Sequence, residues 1–125
     1  MKRFTIEQIE KMHTLLTNVS GGCDGVRERG LLESAILSAE QTFLGEELYP
    51  TTLEKGARLG FGLMKNHAFI DGNKRIGVLA MLVYFRLMGC HFTLTNEDVI
   101  HIGLGVASGE MDYENLVAYL KERKI

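Results

Sequence analysis

Asn73-Lys74-Arg75-Ile76-Gly77-Val78-Leu79-Ala80-Met81-Leu82-Val83-Tyr84-Phe85-Arg86 is the stretch on which the fold turns. Ile76 to Phe85 carry no charge and are bounded by Arg75 and Arg86. A membrane-crossing helix needs about 20 apolar residues, so this shorter run predicts a core helix. Its apolar side chains (Ile76, Val78, Leu79, Met81, Leu82, Val83, Phe85) leave no polar face, the pattern of a helix surrounded by other helices. It starts near Asn73, runs to about Met88 and is stopped by Gly89.

Helical patterning continues on both sides. Upstream, Thr51-x-x-Glu54 behind Pro50 opens a helix that runs to about Asn66. Thr5-x-x-Gln8 reads as a capping box ahead of Ile6, Ile9, Met12, His13 and Leu16. Gly21-Gly22-Cys23-Asp24-Gly25 ends that helix and reads as a mobile loop, and a second helix starts near Leu31. Thr42 to Tyr49, with Gly45 and two acids between short apolar pieces, carries a weak hairpin signal. Downstream, Thr95-x-x-Asp98 starts a helix ending at Gly109, and Asp112 caps a last one whose Lys121, Arg123 and Lys124 suit the negative end of the helix dipole. The expected fold class is all-α: a helical bundle around a central buried helix, with one small β-hairpin.

A chain of 125 residues fits one domain, 1–125, of the commonest size, about 100–150 residues. With 14 basic and 16 acidic residues its net charge is −2, which argues against a general nucleic-acid or membrane-surface binder. Cys23 and Cys90 stand far apart without metal-ligand spacing, so neither a disulfide scaffold nor a zinc module is expected, and a reducing cytoplasm is the natural compartment. Met1-Lys2-Arg3 is not followed by the apolar run of a signal peptide.

The chemistry is concentrated in His67-Ala68-Phe69-Ile70-Asp71-Gly72-Asn73-Lys74-Arg75, a polar loop between two core helices. Asn73, Lys74 and Arg75 fall at a helix N-terminus, where free backbone N–H groups and the positive dipole end already gather. Two cations there are misplaced by about 0.3–1 kcal/mol each unless an anion shares the site. With Gly72 allowing close backbone approach and Asn73 offering an amide donor, the set describes a phosphate cradle. His67 is suited to act as general base toward a hydroxyl. Asp71 is suited to anchor Mg²⁺, which keeps most of its waters and takes one or two protein oxygens. Together they suggest phosphoryl or nucleotidyl transfer to an alcohol. Phe69 in this polar loop reads as a plug into the core. Taken singly, each of the others has a structural reading, Asp71 as an N-cap and His67 as a helix C-terminal cap; their joint occurrence favours chemistry. His13, on an apolar helix face, reads as a packed histidine. Arg27 and Arg29 are open between nucleotide contact and ion pairing.

His67-x-Phe69-x-Asp71-Gly72-Asn73-Lys74-Arg75 closely resembles the signature of the Fic/Doc (Fido) family, and within it the death-on-curing toxins. Gly25-Val26-Arg27-Glu28-Arg29-Gly30-Leu31-Leu32-Glu33-Ser34-Ala35 resembles a second family block, and Tyr49-Pro50-Thr51 with Gly60-Phe61-Gly62 also fits, so the resemblance covers nearly the whole chain. Two positions depart from the Fic pattern: Ala68 stands where Pro is usual, and Lys74 where AMP-transferring members have Gly.

The resemblance implies a Doc-type protein kinase in which the γ-phosphoryl of ATP faces a Ser or Thr hydroxyl of a target protein, with a translation elongation factor as the kind of substrate. His67 would take the hydroxyl proton, Asp71 would hold Mg²⁺, and Gly72, Asn73, Lys74 and Arg75 would bind the phosphates. The Thr42–Tyr49 segment would be the family's flap, pairing its edge with an extended target. The self-inhibitory Ser/Thr-x-x-x-Glu-Gly/Asn pattern of some Fic proteins is absent. Restraint would then come from a partner antitoxin laying a helix into a groove, for which the exposed apolar residues of the N-terminal helices are the candidates. A Fic-type AMP transferase tolerating Lys74 and a catalytically idle binding module using Lys74-Arg75 are the alternatives.

Overall fold

The computed structural model describes residues 3–125. Six helices follow one another as α1 (Ile6–Ser20), α2 (Arg29–Ser38), α3 (Thr52–Lys65), α4 (Asn73–Leu87), α5 (Asn96–Ser108) and α6 (Tyr113–Arg123). A two-stranded antiparallel hairpin, β1 (Thr42–Phe43) and β2 (Glu46–Glu47), stands between α2 and α3. The all-α bundle with a small hairpin is therefore the observed fold class. Among the described residues no helix is long and apolar enough to cross a membrane.

Local chemistry sets most helix ends. Thr5 and Gln8, Thr95 and Asp98, and Asp112 and Asn115 each form reciprocal capping boxes. Thr51 Oγ1 accepts the Glu54 N–H at the start of α3. In the hairpin turn, Leu44 (φ 51°) and Gly45 (φ 82°) are both left-handed, as the tight I′-type connection requires.

Helices α3 and α4 form the centre, with α2 and α6 packed on α3, α1 on α4, and α5 against both. Ile76, Ala80, Met81 and Phe85 of α4 meet Ala57, Leu59 and Leu63 of α3 in one contiguous core with Leu32, Ile102, Leu116 and Leu120. The two central helices cross at Gly60 and Gly77, where a methyl group on Gly77 would lie 2.3 Å from Met64 Cγ and 2.8 Å from the Gly60 carbonyl oxygen. Gly77→Ala gains about 1 kcal/mol of helix propensity but forces two backbones apart, so a net loss of about 1–2 kcal/mol is expected. A lowered urea midpoint at unchanged slope is the expected result; a raised midpoint would show that the crossing is loose.

One strip of α4 departs from the all-round burial its pattern suggests. Leu79 and Leu82 are only half-buried and, with Leu16, Val99 and Leu104, line an apolar groove of about 440 Å³ between α1, α4 and α5.

Candidate active site

The loop between α3 and α4 is fixed from several sides. Asn66 closes α3, and His67 follows at φ 54°, a left-handed position for a residue with a Cβ. Gly72, at φ 77°, is the N-cap of α4 and supplies no side-chain cap. Between them Phe69 is buried and stacks on the His13 ring, with centroids 3.9 Å apart and planes 10° apart. His13 is itself fully buried; its Nε2 donates to the Asp71 carbonyl at 2.6 Å, and its Nδ1 lies 3.3 Å from Asp24 Oδ1. The packed role read for His13, and the core plug read for Phe69, are both what the fold shows.

Asn73 differs from its expected role. Its Oδ1 accepts the Phe69 N–H and its Nδ2 donates to the Phe69 carbonyl, both at 3.0 Å. The carboxamide thus staples the loop, and what Asn73 has left for a phosphate is its backbone N–H. Asp71 is not the N-cap either, since Gly72 takes that place.

The segment read as a mobile loop is instead a strap across the site. The Gly25 carbonyl accepts the Ile70 N–H at 3.1 Å, and the backbone N–H groups of Arg27 and Glu28 both reach the Ala68 carbonyl. Cys23 N–H donates to Asp71 Oδ2. Gly22 passes so close that a Cβ there would sit 2.7 Å from Asp71 Oδ2 and 2.8 Å from Arg75 Nη2. Arg27 Nε donates to the His67 carbonyl at 2.8 Å, which makes it a backbone clamp, whereas Arg29 pairs with Glu7 and Glu10.

These constraints present His67, Asp71, Gly72, Asn73, Lys74 and Arg75 on one cleft of about 520 Å³ that also includes Lys65 and Ala107. His67 is exposed there. The Cys23 backbone N–H, followed by that of Gly72, holds the Asp71 carboxyl below the usual carboxylate range, with Arg75 adding to the effect. Arg75 is partly engaged: Nη1 donates to Ser20 Oγ and the Gly21 carbonyl, and Nη2 lies 3.9 Å from Asp71. Lys74 is exposed, its stem beside Gly103, with no carboxylate within 4.0 Å among the described residues. Lys65 Nζ, 3.5 Å from the Val106 carbonyl, adds a third cation. No acidic residue lies in the first turn of α4, so its uncapped N–H groups and the three cations face whatever anion enters.

Among the described residues no three His, Cys, Asp or Glu side chains group in a way that could hold a metal by themselves. Asp71 fits the Mg²⁺ mode of one carboxylate beside phosphates: its side chain is half exposed, and each oxygen accepts only one backbone N–H.

The model of the Fic/DOC family matches residues 3–85, which include the strap, the hairpin and the whole of the His67–Arg75 loop. The chain belongs to the Fic/DOC family. Its similarity to a named member is also substantial: Toxin Doc of Mycolicibacterium smegmatis (strain ATCC 700084 / mc(2)155) is 31% identical over 105 residues, 80% of this chain and 78% of that protein. In this Fic/DOC chain the site also depends on residues that the motif does not contain. Lys65 reads in the sequence as an ordinary cation at a helix C-terminus, and it is the Val106 carbonyl of α5 that its ammonium meets beside the cleft. His13 and Arg27 touch the loop across 58 and 40 residues of chain, and no local spacing signals either contact.

Proposed function

We propose that the chain is a Doc-type toxin of a toxin–antitoxin pair, a cytoplasmic enzyme that moves the γ-phosphoryl group of ATP to a Ser or Thr hydroxyl of a target protein and so inhibits translation. A translation elongation factor is the expected kind of target. The observation that carries the reading is an exposed imidazole, His67, on the same cleft as an uncapped helix N-terminus and the cations of Lys65, Lys74 and Arg75.

In this mechanism His67 accepts the hydroxyl proton as the hydroxyl oxygen bonds to the γ-phosphorus and the bond to the β–γ bridging oxygen breaks, releasing ADP. Lys74, Arg75 and the backbone N–H groups of the first α4 turn hold the phosphates and offset the charge of the transferring group. Asp71, kept ionised by the strap, holds Mg²⁺, which when bound supplies charge neutralisation at the phosphates. Lys74 occupies the place of the glycine found in AMP-transferring relatives, and its ammonium favours the orientation that brings the γ-phosphoryl to the acceptor. The β1–β2 hairpin, with Phe43 and Leu44 exposed, offers a strand edge to an extended target segment.

The groove between α1, α4 and α5 suits the apolar face of an antitoxin helix. It lies on α4 and α5, with Leu16 of α1 its one contribution from the N-terminal helices on which a groove was expected, and Lys74 and Arg75 line both it and the cleft. A helix seated there would abut the phosphate cradle.

ATP labelled at either the α or the γ phosphate, incubated with the protein and a bacterial lysate, tests the reading. Transfer of the γ label alone, as an added phosphate on Ser or Thr, is expected. Transfer of the α label would assign AMP transfer instead, and transfer of neither would overturn enzymatic modification.

A further inference from the structure

Three side chains that the proposed chemistry does not use, Thr14, Asp24 and His13, form a chain of contacts ending on the Asp71–Gly72 peptide. His13 is fully buried on α1, yet both of its ring nitrogens are engaged. Nε2 donates to the Asp71 carbonyl at 2.6 Å, and no other donor reaches that oxygen among the described residues. Nδ1 lies 3.3 Å from Asp24 Oδ1 in the strap. The Asp24 carboxylate is held in turn by the Thr14 hydroxyl, 3.2 Å from each oxygen, and by the Gly25 N–H at 2.9 Å. The Phe69 ring covers one face of the imidazole. A ring tied at both nitrogens and stacked on one face keeps Nε2 aimed at a single oxygen.

That peptide needs an outside hold. Gly72 sits at φ 77°, and a glycine accepts either sign of φ at little cost. Turning the Asp71–Gly72 peptide over carries Gly72 to a negative φ, which is also allowed. The α4 N-cap has no side-chain bond to resist the turn. The N–H and C=O of a trans peptide point in opposite directions. With the carbonyl held by His13, the Gly72 N–H faces the other way and donates to Asp71 Oδ1 at 2.8 Å, and both residues line the cleft. Turned over, the peptide sets a carbonyl oxygen against the Asp71 carboxylate, and its partial negative charge then opposes an entering phosphate. We infer that His13, oriented by Asp24, is a positioning residue that locks the Asp71–Gly72 peptide with its N–H toward the cleft, and so sets the Asp71 carboxylate and the phosphate cradle. The inference rests on the reading of the α4 N-terminus as a phosphate site.

Three substitutions separate the donor from the packing. His13→Phe keeps a stacked ring without the donor, His13→Gln keeps an N–H donor, and His13→Met matches Gln in length but donates nothing. The first readout is the NMR signature of the peptide: the Gly72 amide shift and its nuclear Overhauser contact with Asp71 Hα. Both are expected to stay as in the wild type for His13→Gln and to change for His13→Phe and His13→Met. The second readout is titration with pyrophosphate and Mg²⁺, followed at the Gly72 and Asn73 amides. A Kd about tenfold higher is expected for the Phe and Met variants, with Gln within about threefold of wild type. Should His13→Phe fail to fold, the contrast between Gln and Met decides. An unaltered Gly72 signature in His13→Met, or equal pyrophosphate binding by the Gln and Met variants, overturns the inference. If the wild type binds no pyrophosphate, the phosphate reading fails, and the Gly72 signature alone decides whether His13 locks the peptide.

Discussion

His67→Ala is expected to lower γ-phosphoryl transfer by about 10²–10⁴-fold, the range lost with a general base, while ATP binding stays within a small factor of wild type. The structure makes this a clean experiment. The imidazole is exposed and, among the described residues, the residue's one polar tie is its backbone carbonyl, held by Arg27 Nε. Alanine keeps the Cβ and so bears the same left-handed backbone strain as histidine, which leaves unfolding free energy within about 0.5 kcal/mol. A rate measured in single turnover, with nucleotide binding followed separately, isolates the chemical step. Transfer by the variant within a few-fold of wild type would remove His67 from the mechanism.

Phe69→Ala is expected to have the largest effect on the fold. The side chain is among the largest fully buried ones, and truncating such a ring costs about 3–5 kcal/mol. Loss of the stack on His13 contributes about 0.5–1.5 kcal/mol within that range. Against a total stability of about 5–15 kcal/mol this brings the protein close to its unfolding threshold, and urea denaturation should show it directly. The effect reaches function as well, because Phe69 is what Asn73 grips and what His13 packs beneath. Phe69→Leu should therefore stay folded at 25 °C yet lose activity as the loop loosens. A loss below about 1 kcal/mol for Phe69→Ala would mean that the loop is held by its hydrogen bonds and not by its plug.

The features legible in the sequence are those set by neighbours in the chain. Thr5, Thr95 and Asp112 cap their helices because the groups they bond lie three residues away, and the His67–Arg75 motif puts its chemistry within nine residues. What escaped depends on contacts that spacing does not encode. Gly21–Gly25 has the composition of a loose loop, yet its backbone is bonded to Ile70 and Asp71 from the far side of the fold. The Asn73 amide faces either a ligand or its own loop, and only the folded turn decides between them. Leu79 and Leu82 read as core because an apolar side chain looks the same whether its own chain or a partner covers it.

The left-handed backbone at position 67 carries a final consequence, one for the protein's evolution. Glycine rests in that conformation without penalty and asparagine tolerates it, so either would firm the turn while removing the imidazole. One nucleotide change converts a histidine codon to asparagine. On the general-base role proposed for His67, disarming the protein is thermodynamically downhill, and lineages relieved of the need for that activity should accumulate well-folded, inert copies altered at that single residue.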